Sequence, residues 1–465
     1  MAQNPQNKDS KSISQRHQVG LERFVTDTPP LGGRIKTDIS DFIVREILPS
    51  GEILSTFEDK KSNSNQNFES GKDRYTTFTL IKKNTDTIIA AKILEKYLNI
   101  PLKFIKWNGI KDHSAITAQK FSVKGNNLAR LNNFEHKNIF LTKIRSSRKG
   151  MELGNLWGNQ FTINIRYSIK PYDEIKEILN LWAEKINKIG FPNYYGMQRF
   201  GQHRPNSHKI GKLFLKGKFQ EAIQEFLFHV YPKEYESNAL FRMKLEKERN
   251  YEKGLKECPN SLFYEKMVIE QLSEELDYKK AYLALPISLC NLIISSYQSF
   301  LFNKAVSKRL KKGYPLSTPI KGDKIAILKD IKGSPSLVKY LYEGGNGWND
   351  QNIEKAFQRE RATILAPVLG YKTNLSDYPV FDEIYKEILN EEQFILSDFM
   401  LNERRLYNFE GTTRAIFIRP LNLQVNQAFI TNNYPNLDPN GIKLEFSLPK
   451  GSYATILLNE LRKSN

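Results

Sequence analysis

The alternation of apolar and polar positions predicts strands towards both ends of the chain and helices between them. Residues 75–80 read as a strand. Asp86 stands where a helix cap belongs, ahead of Ile89, Ile93, Leu94, Tyr97 and Leu98 at helical spacing, and Pro101 lies beyond the end. Two more strand-like runs, 104–107 and 118–123, flank a glycine turn. The glycines of 154–158 lead into an alternating strand that reaches Arg166. Residues 175–189 carry Leu179, Leu181, Trp182 and Ile186 as the apolar positions of a helix. From Lys212 to about Arg404 the texture is helical and dense in Lys and Glu, as at Lys244, Glu246, Lys247 and Glu248. Such charge runs are usually solvated helix faces. Strands return at 413–419 and 443–448, and no internal repeat is visible. Strands at the ends with helices between them predict an α+β fold whose sheet is interrupted by an insertion.

One stretch imitates a membrane span. Residues 281–303 hold no charge, but Pro286, Ser288, Asn291, Ser295, Ser296, Gln298, Ser299 and Asn303 interrupt it. Leu289, Leu292, Ile293, Tyr297, Phe300 and Leu301 share one helical face, so a buried amphipathic helix is expected rather than a bilayer segment. Residues 1–18 are rich in Asn, Gln, Ser and Lys without an apolar pattern, and are expected to be disordered and to carry no signal peptide. Residues 58–73 read as a solvated loop between strands.

Length and charge narrow the picture further. A chain of 465 residues suggests two to three domains. Lys and Arg outnumber Asp and Glu by 70 to 51, a net charge of +19, which suits a polyanionic partner such as RNA or DNA before a membrane. Charge alone is equally compatible with plain solubility. Cys258 and Cys290 form no C-x-x-C pair, so the chain reads as reduced and intracellular. His203 and His208 have no acidic cluster beside them, and no metal site is expected.

Two segments carry candidate chemistry. In residues 108–119, Asp112 sits at the turn between two strands, next to Lys111, a cation that favours the charged carboxylate. Gly109 is expected to make room for a tight turn that a side chain would obstruct. A loop-held carboxylate can act as nucleophile or general base, although a lone Asp in a turn is more often only a turn-former. In residues 193–201, Asn193, Tyr194, Tyr195, Gly196, Gln198, Arg199, Phe200 and Gly201 surround a single ordinary core residue, Met197. Aromatic rings can stack on a base and an amide can read its edge, while a glycine turn with core aromatics is the bland alternative.

Residues 108–119 and 193–201 resemble the two signature segments of the TruD family of pseudouridine synthases. Residues 35–46 resemble that family's opening strand and 446–455 its closing one, in the family's order, so that the likeness runs from about Gly33 to Leu461. The resemblance implies an α+β pseudouridine-synthase fold. Its mixed or antiparallel catalytic sheet, with flanking helices, would be interrupted by a largely helical TRUD insertion domain. After the tail, 19–201 would be the first part of the catalytic domain, 202–412 the insertion, and 413–465 the returning catalytic strands. Residues 297–303 and Gly322-Asp323 look like segments characteristic of the insertion.

The implied activity is isomerisation of uridine to pseudouridine in tRNA, at position thirteen, with no cofactor and no metal. Asp112 would be catalytic, by attack on C1′ or by removal of a ribose proton. Lys36, Lys111 and Arg199 would support it, Lys36 or Arg199 by pairing with Asp112, and Phe42, Asn193, Tyr195 and Tyr453 would bind substrate. The implied partner is tRNA, with no membrane, and the implied state is a cytoplasmic monomer, or a nuclear one in a eukaryote. Two details depart from the pattern: His113 stands where relatives often have a cation, and the insertion is longer and richer in Lys than in compact bacterial relatives. The alternatives are a synthase with other RNA targets or a catalytically inactive tRNA-binding chaperone of the same fold. A metal-dependent nuclease lacks the clustered carboxylates it would need.

Overall fold

The computed structural model describes residues 15–56, 74–166, 170–232, 234–345, 347–401, 406, 409–426 and 441–463. The expected loop at 58–73 and most of the expected tail lie outside them. Residues 15–18, at the end of that tail, form a helical turn with Arg16 buried, where disorder was expected.

The strands, in chain order, are β1 (Phe42–Ile47), β2 (Tyr75–Lys83), β3 (Ile105–Trp107), β4 (Ile116–Lys124), β5 (Ile139–Ser147), β6 (Gly158–Ile165), β7 (Phe191–Pro192), β8 (Lys324–Leu328), β9 (Pro335–Leu341), β10 (Ala362–Val368), β11 (Thr412–Ala415), β12 (Phe417–Ile418), β13 (Leu421–Asn426) and β14 (Ile442–Pro449). Eight of them form the main sheet in the order β13-β14-β6-β1-β4-β2-β5, and β3 lies against the second half of β4. β1 runs parallel to β4 and the other pairs are antiparallel, so the sheet is mixed, with the α+β character expected. Phe42, Phe161 and Phe446 touch in succession across β1, β6 and β14, with ring centroids 6.2 and 5.4 Å apart. This aromatic row fills the core beneath the middle of the sheet.

The helix Thr87–Leu98 is capped by Asp86, whose carboxylate accepts from the backbone of Ile88 at 2.7 Å. It buries Thr87, Ala90, Ala91, Leu94 and Leu98, while Ile89 and Tyr97 of the expected stripe are exposed. The two alanines let the helix lie close to the sheet, which rotates its inner face by a position. The helix Tyr172–Ile189 buries Leu179, Trp182 and Ile186 but leaves Leu181 largely exposed.

The region expected to be the insertion is helical from Ser207–Leu215 to a central helix, Ile287–Lys311. It also carries a four-stranded sheet in the order β11-β10-β8-β9, which the helical texture of the sequence did not reveal. The central helix is buried on nearly every side from Ile293 to Arg309, not on one face as expected, and Leu292 of the expected face is exposed. The helices Ser207–Leu215 and Pro379–Glu391, together with β10, pack around it. The N-terminal segment adds hydrogen bonds from Asn303 to the Val19 carbonyl and from Ser307 to that of Gly20. A helix enclosed in this way is apolar or internally satisfied all round. No helix among the described residues is long and apolar enough to cross a membrane.

The chain returns to the main sheet at β13, later than the expected Thr413. β11 still belongs to the small sheet, and β12 pairs with β7. Residues 412–418 therefore bridge the two regions, which places Arg414 at their junction.

Candidate functional site

The loop between β3 and β4 carries Asp112. Its Oδ1 lies 3.0 Å from Lys36 Nζ, and the two side chains are 37% and 26% exposed, so this ion pair is open to solvent. Lys36 has a left-handed backbone, φ +59°, a conformation that costs a non-glycine residue about 1 kcal/mol or more and concentrates at functional sites. Its ammonium also lies 4.2 Å from the ring centroid of the buried Phe42.

Behind the loop, Lys82 donates to the backbone carbonyl of Asp112 at 2.7 Å. Lys82 is fully buried on β2, and burial pushes its pKa down to about 8 against the opposing pull of Asp112. Lys111 does not face Asp112, contrary to expectation. It turns inward to Glu46 Oε1 at 3.0 Å and Asn159 Oδ1 at 2.7 Å, in a buried ion pair. The other Glu46 oxygen accepts from the Lys120 backbone at 2.8 Å and from Asn108 at 3.3 Å. Thr87 and Gln119 hold the backbone of Lys111 and Gly109. The loop is thus pinned from beneath by a polar network, and the carboxylate of Asp112 is the part that meets solvent. Gly109 is not demanded by sterics: a methyl group there would meet no atom within 4 Å.

The second signature segment forms a separate group of contacts. Asn193 is buried, and its amide is already engaged: Nδ2 donates to the Ala415 carbonyl at 2.9 Å and Oδ1 accepts from Arg414 Nη2 at 2.7 Å. Its expected free edge for a base is therefore occupied by protein. Tyr194 is a core residue whose hydroxyl meets Ser307 at 2.9 Å, and burial pushes its pKa up. Tyr195 is half-buried, with its ring edge-on to Phe302 and Tyr453 at 5.6 and 6.3 Å. Tyr453, at the start of the helix Ala454–Arg462, has its pKa raised by burial, opposed by Arg414 and Arg199. Arg199 bonds to the hydroxyls of Ser299 and Ser295 at 3.1 and 2.7 Å, and does not pair with Asp112. Gly196 and Gly201 are sterically required. A Cβ on Gly196 would stand 2.9 Å from Tyr453 Cδ1, and Gly201 has φ +105° with the Arg204 carbonyl in the way.

The two groups are joined through β14. It places Phe446 in the aromatic row that ends at Phe42, and it leads on to Lys450, which donates to the Gly154 carbonyl. The Gly154 backbone in turn donates to Asn108. Sequence reasoning missed Lys82 and Arg414. Lys82 had a signal: with Phe78 and Leu80 it occupies alternate positions of one strand, so a cation was due on the buried face. Arg414 had none, because its place depends on a pairing between distant segments. Among the described residues no group of three or more His, Cys, Asp or Glu side chains is arranged to hold a metal ion.

Comparison with known proteins agrees with this architecture. The family model described as TruD, tRNA pseudouridine synthase D, matches residues 18–461. A Methanosarcina acetivorans protein named "Probable tRNA pseudouridine synthase D" is 33% identical over 451 residues, covering 96% of each chain. A protein of that name from Thermococcus sibiricus is 31% identical over 449 residues, covering 95% of this chain and 98% of the relative. The crystal structure of the tRNA pseudouridine synthase D homologue from Methanosarcina mazei superimposes with a TM-score of 0.76 at 28% identity, covering 98% of this chain and 99% of the other.

Proposed function

The chain belongs to the tRNA pseudouridine synthase D (TruD) family, and from that premise we propose that it isomerises uridine to pseudouridine in tRNA, at position thirteen, with Asp112 as its catalytic carboxylate. The observation that carries this reading is the setting of Asp112. Its loop is fixed from behind by Lys82 and the buried Glu46–Lys111 pair, while its carboxylate is left open beside Lys36.

The reaction breaks the N1–C1′ bond of the nucleoside, turns the uracil, joins C5 to C1′, releases the C5 proton and leaves N1 to take up a proton. Bonds and electrons balance without an oxidant or a second substrate. A carboxylate serves it as nucleophile towards C1′ or as base towards the ribose, and a preorganised loop lowers the cost of presenting that group. Lys36 holds Asp112 and covers the face of Phe42, so Phe42 shapes the floor beneath the ammonium. Tyr195 and Tyr453 are half-buried rings fit to stack on a displaced base. Asn193 is better read as the anchor of Arg414 than as a direct reader of uracil.

The test is incubation of the protein with unmodified tRNA, chelator present, followed by chemical mapping of pseudouridine. The expected product is a single modified uridine at position thirteen. Binding without product would favour an inactive chaperone, and product elsewhere a different RNA target.

A further inference from the structure

Arg199 and Arg414 are two half-buried cations with neutral partners. Asn193 and Gly451 carbonyl or amide oxygens engage Nε and Nη2 of Arg414 at 2.7 to 3.0 Å, leaving Nη1 outside those three bonds, and the Tyr195 side chain is a further, neutral hydrogen-bond partner. The hydroxyls of Ser295 and Ser299 engage Arg199, and its Nη1 likewise lies outside them. No carboxylate among the described residues pairs with either guanidinium. Yet both lie against one ring, Tyr195, with Cζ 4.1 and 5.9 Å from its centroid. Burial pushes the pKa of Arg414 down, Tyr195 and Tyr453 oppose it, and the charge of Arg199 adds a smaller downward push.

The helix Ala454–Arg462 begins at the same place. Its cap residue, Tyr453, supplies no side-chain hydrogen bond to the first turn, and Thr455 Oγ1 is buried without a partner beside Gly196. Free donors at a helix start attract negative charge. Two guanidiniums, a helix N-terminus and an idle hydroxyl together describe an anion seat, fitted to the two charged non-bridging oxygens of a phosphodiester.

We propose that Arg199 and Arg414, lying against Tyr195 at the start of the helix Ala454–Arg462, seat one phosphodiester of the bound RNA. The proposal rests on the reading of the chain as a tRNA pseudouridine synthase and adds to it a substrate contact. It also gives the Asn193–Arg414 bond a purpose: the amide fixes the fork of the guanidinium so that its outer edge faces the RNA.

The experiment uses tRNA carrying a single uncharged methylphosphonate linkage, moved one nucleotide at a time around the target uridine. Affinity is measured with the wild type, Arg199→Gln and Arg414→Gln, and the fold of each variant is checked by thermal melting. At one linkage the wild type is expected to lose roughly tenfold in affinity, the scale of a charged hydrogen bond. Each variant should lose about as much on ordinary tRNA and nothing further at that linkage, and the salt dependence of its binding should fall by about one counterion. Should Arg414→Gln fail to fold, Arg199→Gln, which bridges no backbone, decides alone. A wild type indifferent to every linkage, or variants that lose as much as the wild type at each, would overturn the proposal. So would stabilisation by inorganic phosphate alone with no linkage effect, because the seat would then serve a free anion. Absence of pseudouridine from unmodified tRNA is a different result, and it counts against the synthase reading itself.

Discussion

The cations within residues 202–412 and three others, Lys36, Arg199 and Arg414, are treated in opposite ways. Arg309 forms a two-pronged pair with Asp323 at 2.6 and 2.8 Å, both side chains fully buried. Arg242 meets Glu234 and Glu265, and Arg204 shares them. Lys304, Lys308 and Lys312 line the central helix against Glu383, Glu387, Glu391 and Glu392, and Lys308 and Lys312 hold the Glu387 carboxyl down to about 2. Arg199 and Arg414, by contrast, have only neutral partners, and Lys36 meets its carboxylate in the open. Charges matched inside the protein serve the fold. Charges left unmatched are held for something that arrives, which is how a site is told from a scaffold when both are rich in arginine.

The comparison breaks most visibly at Asp323. Asp323→Ala strands the Arg309 guanidinium in the core and should cost about 3–5 kcal/mol, read as a drop in the denaturant midpoint. The double variant Arg309→Met with Asp323→Leu should recover much of that loss, because removing both charges removes the desolvation cost as well. If the single change were mild, the claim that matched charges serve the fold would be wrong.

His208 sharpens the contrast, because here the protein buries a titratable group and keeps it neutral. It packs between Phe200 and Phe300 near the Gln18 backbone, and burial, helped by Lys209 and Lys212, pushes its pKa down to about 3. The unfolded chain takes up this proton near pH 6.5, before the folded chain does. The stability due to neutral His208 is therefore whole above about pH 6.5 and is lost as pH falls towards about 3. By pH 5 the loss is on the order of 2 kcal/mol. Thermal melts between pH 7.5 and 5 should show a shallower pH dependence in His208→Leu than in the wild type. Equal slopes would contradict the assignment.

Smaller effects are expected where the contacts are neutral or open. Asn193→Ala removes the donor to the Ala415 carbonyl and the anchor of Arg414, and should cost about 1–2 kcal/mol of stability together with tRNA affinity. A variant that bound tRNA normally but turned over slowly would return Asn193 to the role of base reader. Lys36→Met should change stability least, by less than about 1 kcal/mol, because its pair with Asp112 is solvent-exposed. It should still lower kcat/KM clearly, so a rate unchanged by Lys36→Met would place Lys36 outside the site.

What the sequence allowed to be read follows the range of the forces involved. Local signals held: the Asp86 cap, the strand pair around Asp112, and the return of strands near the C-terminus. Rotation of a helix face by small residues did not show, and Ala90 and Ala91 displaced Ile89 and Tyr97 from the core. Direction of side chains was also hidden. Adjacency put Lys111 next to Asp112, but successive residues of an extended loop point apart, and Lys36, far away in sequence, makes the pair. Arg414 and Asn193 meet only because β12, which follows β11, pairs with β7, a contact that no local spacing announces.

The central claim, that an open carboxylate on a pinned loop performs the chemistry, is tested most directly by single-turnover kinetics of Asp112→Asn on unmodified tRNA beside a binding titration. The account predicts an intact fold, tRNA affinity within a few-fold of the wild type, and no detectable pseudouridine. Formation of more than a trace of pseudouridine by this variant would contradict it.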